Sequence, residues 1–339
     1  MKSIKKTNYI HMKYFQLFLF TSILLSSCQF LNQNKATSDT IEAPKVKTPN
    51  FDENIAYDYI KKQVNYGPRV PSTKEHEACA FWLLETLKLL SDTAYFQEFE
   101  TVTYDGKKHK SKNIIAKINP ANAHRILLSA HWDTRPVADQ DTKDMTKPIL
   151  GANDGGSGVG VLLAILEAIK TQKVALGVDI VLFDIEDYGQ PENSGFMPME
   201  DSYCLGSQYW AKNLSGQILP RFGVNLDMVG GKNATFQKEA ISMLYAPNLV
   251  QRVWGIADQL GYSNYFLSKE GSSITDDHFY VNSFAKIPTI DIIHTDEVKG
   301  FADYWHTHKD NMNSVDKTTL KAVGQTVLYL VYEEDLIKE

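Results

Sequence analysis

Acidic side chains and a histidine follow successive apolar segments of this chain. His131 and Asp133 come directly after the apolar residues 126–130, and Asp154 lies in a glycine-rich segment that opens a helical pattern. Any one of them has an ordinary structural explanation, since Asp154 alone would more often cap its helix than bind a ligand. Their repetition favours a shared metal ion, because carboxylates gathered in one crevice repel each other unless a cation lies among them.

Further acids follow the next two apolar segments, and an imidazole lies in a polar loop near the end of the chain. These residues are Glu186, Asp187, Asp227 and His306. Carboxylate oxygens and neutral imidazoles are ligands that zinc accepts in catalytic sites. We prefer His306 to His308, which we expect to be more exposed. The residue types therefore predict a zinc centre.

The adjacent pair Glu186 and Asp187 is the most informative. Neighbouring side chains of an extended segment point in opposite directions, so both can face one site only if the chain bends just past the strand. One carboxylate can then bind the metal while the other moves protons, because a free carboxylate in a partly dry pocket can have its pKa tuned toward that task. A solvated acidic turn is the alternative interpretation.

The elements that must position these side chains are apolar strands that alternate with helices. Buried strands are predicted at 126–130, 178–183, 222–226 and 287–293. This alternation predicts an α/β protein, a three-layer α/β/α sandwich with a mostly parallel central sheet, whose ligands collect at the carboxyl ends of the strands. Two alternating segments, 95–103 and 111–118, predict a leading antiparallel hairpin, so we expect a mixed sheet.

The first residues predict export. Residues 1–27 combine four lysines and no acid with an apolar stretch too short for a membrane-spanning helix, which is typical of a signal peptide. The ending Leu25-Ser-Ser-Cys28 resembles the lipobox of bacterial lipoproteins, in which the cysteine is lipidated; an ordinary export signal with a leftover cysteine is the alternative. We expect lipidation at Cys28 and a lipid anchor in a bacterial membrane. Gln29 is compatible with the outer membrane, with the domain on its periplasmic or surface side.

Residues 28–50 are predicted to be a lipidated cysteine and a flexible tether, and residues 51–339 a single zinc-dependent catalytic domain. The tether is too polar to bury a core. Removing the four lysines of the signal changes the formal net charge from −6 to −10, and an acidic chain without a basic stripe is not expected to bind nucleic acid. Cys79 and Cys204 do not make a disulfide framework, although a single bridge between them stays open.

Several motifs together resemble those of a known family. They are Tyr66-Gly-Pro-Arg-Val-Pro71, His131-Trp-Asp133, Gly151-Ala-Asn-Asp154, Phe183-Asp-Ile-Glu-Asp187, Asp201-Ser-Tyr-Cys-Leu-Gly-Ser207, Leu226-Asp-Met-Val-Gly230, Asp276-Asp-His278 and Trp305-His-Thr307. The motifs resemble the zinc-dependent aminopeptidase superfamily and, within it, the glutaminyl-peptide cyclotransferases (glutaminyl cyclases) of animal type. They cover nearly the whole chain after the tether, in the order that the family keeps.

The resemblance implies an enzyme with one zinc ion per chain, held by Asp154, Asp187 and His306. Its substrates would be peptides or proteins that begin with Gln, which it would convert to pyroglutamate with release of ammonia. The family usually has Glu at the position of Asp187. A carboxylate that is one methylene shorter can still bind zinc if the strand end lies closer to the metal.

The same resemblance assigns the remaining roles. Glu186 matches the acid that moves protons, and Asp227 and Asp277 match the carboxylates near the leaving group. Trp305 matches an aromatic wall of the substrate pocket. A further pocket tryptophan of the animal enzymes has no equivalent in residues 188–192.

Two other functions remain open from the residues. In a two-zinc aminopeptidase, His131 and Asp227 would bind a second zinc ion, Asp154 would bridge the two ions, and Glu186 would activate water. The tryptophan directly before His306 fits the cyclases better. A non-enzymatic surface lipoprotein that uses the site only for binding is the third possibility.

Overall fold

The computed structural model describes residues 46–296 and 300–337. The predicted signal peptide, Cys28 and most of the predicted tether lie outside these residues. Residues 46–50 lie within them and contact the domain, because Gln172 donates to the Lys47 carbonyl at 3.0 Å and Gln325 to the Pro49 carbonyl at 3.1 Å. The predicted boundary at residue 51 stays a prediction.

The described residues contain a six-stranded sheet and a separate pair of short strands. The strands are β1 (Thr93–Val102), β2 (Lys108–Ile118), β3 (Arg125–His131), β4 (Gly177–Phe183), β5 (Gly223–Asp227), β6 (Phe236–Lys238), β7 (Phe266–Glu270) and β8 (Thr289–Ile293). The large sheet has the order β1-β2-β4-β3-β5-β8. β1, β2 and β4 pair antiparallel, whereas β4, β3, β5 and β8 run parallel. The prediction of a mixed, mostly parallel sheet with a leading hairpin is confirmed.

Helices surround this sheet. They are α1 (Glu53–Val64), α2 (Lys74–Leu90), α3 (Ser157–Thr171), α4 (Leu205–Lys212), α5 (Ala240–Tyr245), α6 (Pro247–Gln259), α7 (Asp277–Tyr280) and α8 (Lys317–Asp335), with a π-helical turn at Val281–Ala285. Asp52, Thr73 and Asp316 cap α1, α2 and α8 by accepting hydrogen bonds from first-turn N–H groups, as short polar residues do at helix starts.

Alternate residues of the central strands face two different helical layers. Leu128 packs in an apolar cluster with residues of α1, α2, α3, α6 and α8. Its neighbour Leu127 packs on the other side with Val181, with Trp210 of α4 and with Val281. Because side chains alternate along a strand, both faces of the sheet are covered. The predicted three-layer α/β/α sandwich is confirmed.

The short elements were not predicted from the sequence. β6, β7, α5, α7 and the π-helical turn each span six residues or fewer, which is too short to show a clear period. Long-range contacts hold them instead; the rings of Phe236 and Phe266, for example, lie 5.2 Å apart.

Two properties of the described residues bear on the sequence analysis. No helix in the described ranges is long and apolar enough to cross a bilayer. Cys79 and Cys204 are both buried and both free thiols, so no bridge joins them.

Candidate metal centre and active site

Three predicted zinc ligands lie together at the carboxyl edge of the sheet. Asp154, Asp187 and His306 are buried, and each offers a ligand atom within 4.8 Å of the others. His306 Nε2 lies 3.1 Å from Asp187 Oδ1 and 3.7 Å from Asp154 Oδ2. The geometry therefore allows one ion to contact all three side chains.

Asp310 holds the segment that carries Asp154. Its carboxylate accepts hydrogen bonds from the backbone N–H groups of Asn153 at 2.8 Å and Asp154 at 3.0 Å. The helix α3 is capped by Gly156 without a side-chain hydrogen bond. The Asp154 carboxylate is therefore not a helix cap and faces the cavity.

The chain bends just past β4, as the adjacent acids require. Ile185 adopts a left-handed backbone with φ of 52°. Asp133 accepts hydrogen bonds from the backbone N–H groups of Glu186 at 3.0 Å and Asp187 at 3.2 Å. Both acids are buried and line one cavity, which excludes a solvated acidic turn. Asp133 shapes this bend and does not line the cavity.

Glu186 is held by a thiol. The Cys204 Sγ–H donates to Glu186 Oε1 at 3.2 Å, and the Cys204 backbone N–H donates to the Glu186 carbonyl at 2.9 Å. Burial raises the pKa of Glu186 well above its usual range; the charge of His131 opposes this shift, and the charges of Asp187, Asp276 and Asp277 add to it. A raised pKa suits a carboxyl group that takes up and releases a proton during a reaction.

His131 belongs to a second group that shares Asp154. Its Nε2 lies 3.1 Å from Asp154 Oδ1 and 3.1 Å from Asp227 Oδ1, and its Nδ1 lies 3.6 Å from Glu186. Burial alone would lower the pKa of His131, but the charge of Glu186 and the hydrogen-bonding carboxylates of three aspartates raise it well above its usual range. A charged imidazole here offsets the negative charge of the surrounding acids.

The two predicted assisting acids occupy different places. Asp227 lines the cavity, and burial, with the charge of Asp154, raises its pKa to about 7 against the His131 hydrogen bond. Asp277 is fully buried, and neither of its carboxylate oxygens has a hydrogen-bond partner. Burial and the charge of Asp276 raise the pKa of Asp277 well above its usual range. Its neighbour Asp276 lines the cavity.

Aromatic side chains line this cavity, which has a volume of about 690 Å³. Trp305 stacks on His306 with ring centroids 3.7 Å apart, and its ring lies 4.5 Å from that of Phe301. Tyr203 also lines the cavity. Its ring packs so closely on Gly189 that a Cβ there would lie 2.2 Å away. The sequence pointed to Trp305 and missed Tyr203.

The donor atoms and their neighbours fit a zinc ion. Carboxylate oxygens and imidazole nitrogens are both ligands of zinc, and three protein ligands leave the fourth position of a catalytic site to substrate or water. Asp154 Oδ2 and Asp187 Oδ2 are buried without a hydrogen-bond partner. Burying such oxygens is costly unless a cation pairs with them.

Segments that follow parallel strands bring buried acids to one edge of the sheet, and His306 joins them from a later loop, which is an arrangement typical of metal-dependent α/β enzymes. The model of peptidase family M28 matches residues 113–331, and the chain belongs to this family.

Solved structures resemble the chain over most of its length. The glutaminyl cyclase of Bacteroides thetaiotaomicron, bound to N-acetylhistamine, is 48% identical with a TM-score of 0.82, and the match covers 84% of this chain and 99% of that one. A Zn-dependent exopeptidase from Parabacteroides distasonis is 49% identical with the same TM-score and the same coverage. The resemblance to glutaminyl cyclases is confirmed.

Curated relatives are more distant. Aminopeptidase YwaD of Bacillus subtilis is 28% identical over 236 residues, which are 66% of this chain but 44% of that protein. The chain therefore spans less than half the length of that relative. The glutaminyl-peptide cyclotransferase of Drosophila melanogaster is 26% identical, with 74% of this chain and 73% of that protein covered.

Sequence reasoning missed several residues around the site. They are Arg135, Asp139, Tyr203, Cys204 and Asp310, of which all but Tyr203 contact candidate zinc ligands or Glu186. Tyr203 and Cys204 lie inside a motif that the sequence singled out, and Asp310 lies in the polar loop that carries His306.

Proposed function

We propose that this protein is a zinc-dependent glutaminyl-peptide cyclotransferase. The observation that carries the proposal is the placement of Glu186, an acid outside the group of candidate ligands, in the same cavity as Trp305, which stacks on the ligand His306. The similarity to a solved glutaminyl cyclase over 99% of that chain supports it. The substrates are peptides or proteins that begin with Gln.

Asp154, Asp187 and His306 hold the zinc ion in this proposal. Zinc supplies a Lewis acid that polarises the carbonyl of the substrate's side-chain amide. The stack of Trp305 on His306 gives the glutaminyl side chain an apolar wall beside the ligand imidazole. The pocket thereby holds the α-amine and the amide carbon of one residue close together, so that the attack is intramolecular.

Glu186 moves the proton that the reaction must transfer. The α-amine nitrogen forms a bond to the side-chain carbonyl carbon and gives its proton to Glu186. Glu186 then delivers that proton to the amide nitrogen as the C–N bond breaks, and ammonia leaves. A carboxylate with a raised pKa suits both halves of this transfer. No net proton is gained or lost by the enzyme.

Asp227 and Asp277 assist the proposed reaction from different positions. Asp227 lines the cavity beside His131 and can accept a hydrogen bond from the departing nitrogen. Asp277 lies behind the cavity wall, where its charge state influences the neighbouring Glu186. Both roles are part of the proposal.

One zinc ion per chain is proposed, with a two-zinc aminopeptidase as the second candidate. The group of His131, Asp154 and Asp227 could hold a second ion, which is the observation that favours the peptidase. Against it, Trp305 stacks on His306, and a tryptophan directly before this ligand fits the cyclases better.

The test is an assay of the purified protein, loaded with zinc, on two peptides of matched length. One begins with Gln and the other with Leu. We expect ammonia and a pyroglutamyl peptide from the first and no free amino acid from either. Release of N-terminal residues without ammonia would establish the aminopeptidase, and no reaction with either peptide would favour a binding protein.

We also propose that the protein is exported and lipid-anchored to a bacterial membrane through Cys28. The lysine-rich start and the ending Leu25-Ser-Ser-Cys28 support this proposal. Several acyl chains on one residue would anchor it firmly, at about 0.8 kcal/mol per buried methylene. The test is fractionation of expressing cells: the Cys28→Ala variant should lose incorporation of labelled fatty acid and leave the membrane fraction.

A further inference from the structure

A buried guanidinium lies behind the candidate zinc ligands. Arg135 has no solvent exposure. Its Nε and Nη2 bind the two carboxylate oxygens of Asp139 at 2.7 and 3.0 Å, in the paired geometry that makes such contacts strong. Neither residue lines the cavity, so neither is expected to touch substrate.

Asp139 lies against the ligand imidazole. Its Oδ1 is 3.2 Å from His306 Nδ1, which is buried and has no hydrogen-bond partner, so Asp139 is the carboxylate that faces this nitrogen. The N–H of Gln140 also donates to the His306 carbonyl at 3.3 Å. A proton fixed on Nδ1 leaves the lone pair on Nε2, the atom that faces Asp187 and Asp154. Such carboxylates orient metal-binding imidazoles and increase their basicity.

The guanidinium of Arg135 also contacts the segment that carries the candidate ligand Asp187. Arg135 Nη1 donates to the carbonyls of Asp187 at 3.0 Å and Gly189 at 3.2 Å, and lies 3.5 Å from Asp187 Oδ1. Because an aspartate side chain is short, the backbone position largely decides where its carboxylate lies. Arg135 therefore fixes the position of Asp187.

We propose that Arg135 and Asp139 form a bridge that positions Asp187 and His306 as a pair and sets the zinc affinity of the site. Both are positioning residues. The inference rests on the proposed zinc site and adds to it, because it assigns control of metal binding to two residues outside the ligand group. Lysine cannot replace Arg135, since a single ammonium cannot bind the Asp139 carboxylate and two carbonyls in this geometry.

A second buried pair in the same sheet provides the control. Arg125 binds Asp179 through Nε at 3.2 Å and Nη2 at 2.5 Å, and it also has no solvent exposure. These residues lie at the start of β3 and in β4, away from the carboxyl edge that carries the ligands. Arg125→Lys should therefore lower stability without changing zinc affinity.

The experiment measures the zinc dissociation constant of the whole domain by competition with a chromophoric chelator, with no substrate present. We expect Arg135→Lys and Asp139→Asn each to weaken zinc binding roughly 10- to 100-fold, and Arg125→Lys to leave it unchanged. The double variant should weaken binding no further than the stronger single variant, because the two residues act as one unit.

The measured affinities distinguish a failure of the proposed Arg135–Asp139 bridge from a failure of the proposed function. Wild-type affinity in Arg135→Lys and Asp139→Asn would overturn the bridge while leaving the zinc site intact. Equal weakening in Arg125→Lys would also overturn it, because the effect would then come from general destabilisation. Asp139 is partly exposed, so Asp139→Asn should fold even if Arg135→Lys does not. A wild-type domain that binds no zinc would instead refute the proposed function.

Discussion

The thiol of Cys204 donates to Oε1 of Glu186 across 3.2 Å. The donor is fully buried, and burial and the neighbouring acids raise its pKa well above its usual range, so it stays a neutral S–H group. One oxygen of the Glu186 carboxylate therefore contacts the thiol, and the other, Oε2, lies 3.6 Å from His131 Nδ1.

Glu186→Gln tests the proton transfer directly. Glutamine has the same shape but cannot carry a proton between the amine and the leaving nitrogen, so kcat should fall by roughly 100- to 10,000-fold. Ammonia release from a Gln-initiated peptide measures this loss. Zinc content and thermal unfolding should match the wild type, and a variant that retains most of its turnover would contradict the assignment.

Cys204 should act through the orientation of Glu186. Cys204→Ala removes the S–H donor, and we expect kcat to fall several-fold while KM changes little, because a single weak hydrogen bond is lost. Cys204→Ser keeps a donor and should recover part of that loss. Equal kinetics in the alanine and serine variants would show that the thiol only fills space.

Metal removal should affect both activity and stability. Without a cation, Asp154, Asp187 and their acidic neighbours repel one another in a buried site. We expect dialysis against a chelator to abolish ammonia release and to lower the unfolding temperature. One molar equivalent of zinc should restore both, since a ligand at 1,000 times its dissociation constant stabilises by about 4 kcal/mol. A requirement for two equivalents, measured by metal analysis, would favour the aminopeptidase.

Tyr203 should contribute to substrate binding through its ring. Tyr203→Ala removes an aromatic wall of the cavity, and a loss of about 1 kcal/mol would raise KM roughly fivefold, whereas Tyr203→Phe should remain close to wild type. Gly189→Ala places a methyl group against the same ring and should raise KM like Tyr203→Ala. An unchanged KM in Tyr203→Ala would exclude this role.

Glu239 should make stability depend on pH. Burial opposes its charge, but hydrogen bonds from His278 and two backbone N–H groups lower its pKa to about 2 from 4.5. Because the folded-state value is the lower one, its stabilisation is complete above about pH 4.5 and is lost as the pH falls toward 2. The shift corresponds to about 3 kcal/mol.

Glu239→Gln measures that contribution. The free energy of unfolding in urea, determined on metal-free protein, should be lower in the variant at pH 6. The difference from wild type should shrink as the pH falls from 5 toward 2. A difference that stays constant over this range would show that the loss comes from packing and not from charge.

The sequence predicted the main strands because each is a nearly continuous apolar run between polar ends. The same pattern placed Asp154, Glu186, Asp187 and Asp227 at one edge, because parallel strands end on the same side. Roles of individual acids stay predictions.

The residues that support the site could not be predicted in the same way. Arg135 and Asp139 lie in an irregular segment with no period, and their partners His306 and Asp187 are far away in the chain. Asp310 bonds residues more than 150 positions earlier. Local patterns carry no information on such pairings, which arise only when the sheet brings distant loops together.

The bend at Ile185 makes the chemistry dependent on an apolar contact outside the cavity. A residue of this type in a left-handed conformation is unfavourable by about 1–2 kcal/mol, so the conformation persists only while its surroundings hold the side chain. Ile185 packs in an apolar cluster with Phe99 of β1 and Leu205. An outer strand that supplies no polar group to the site thus contributes, with Asp133, to the alignment of the two acids, and a smaller side chain at Phe99 should lower turnover while every reactive group stays in place.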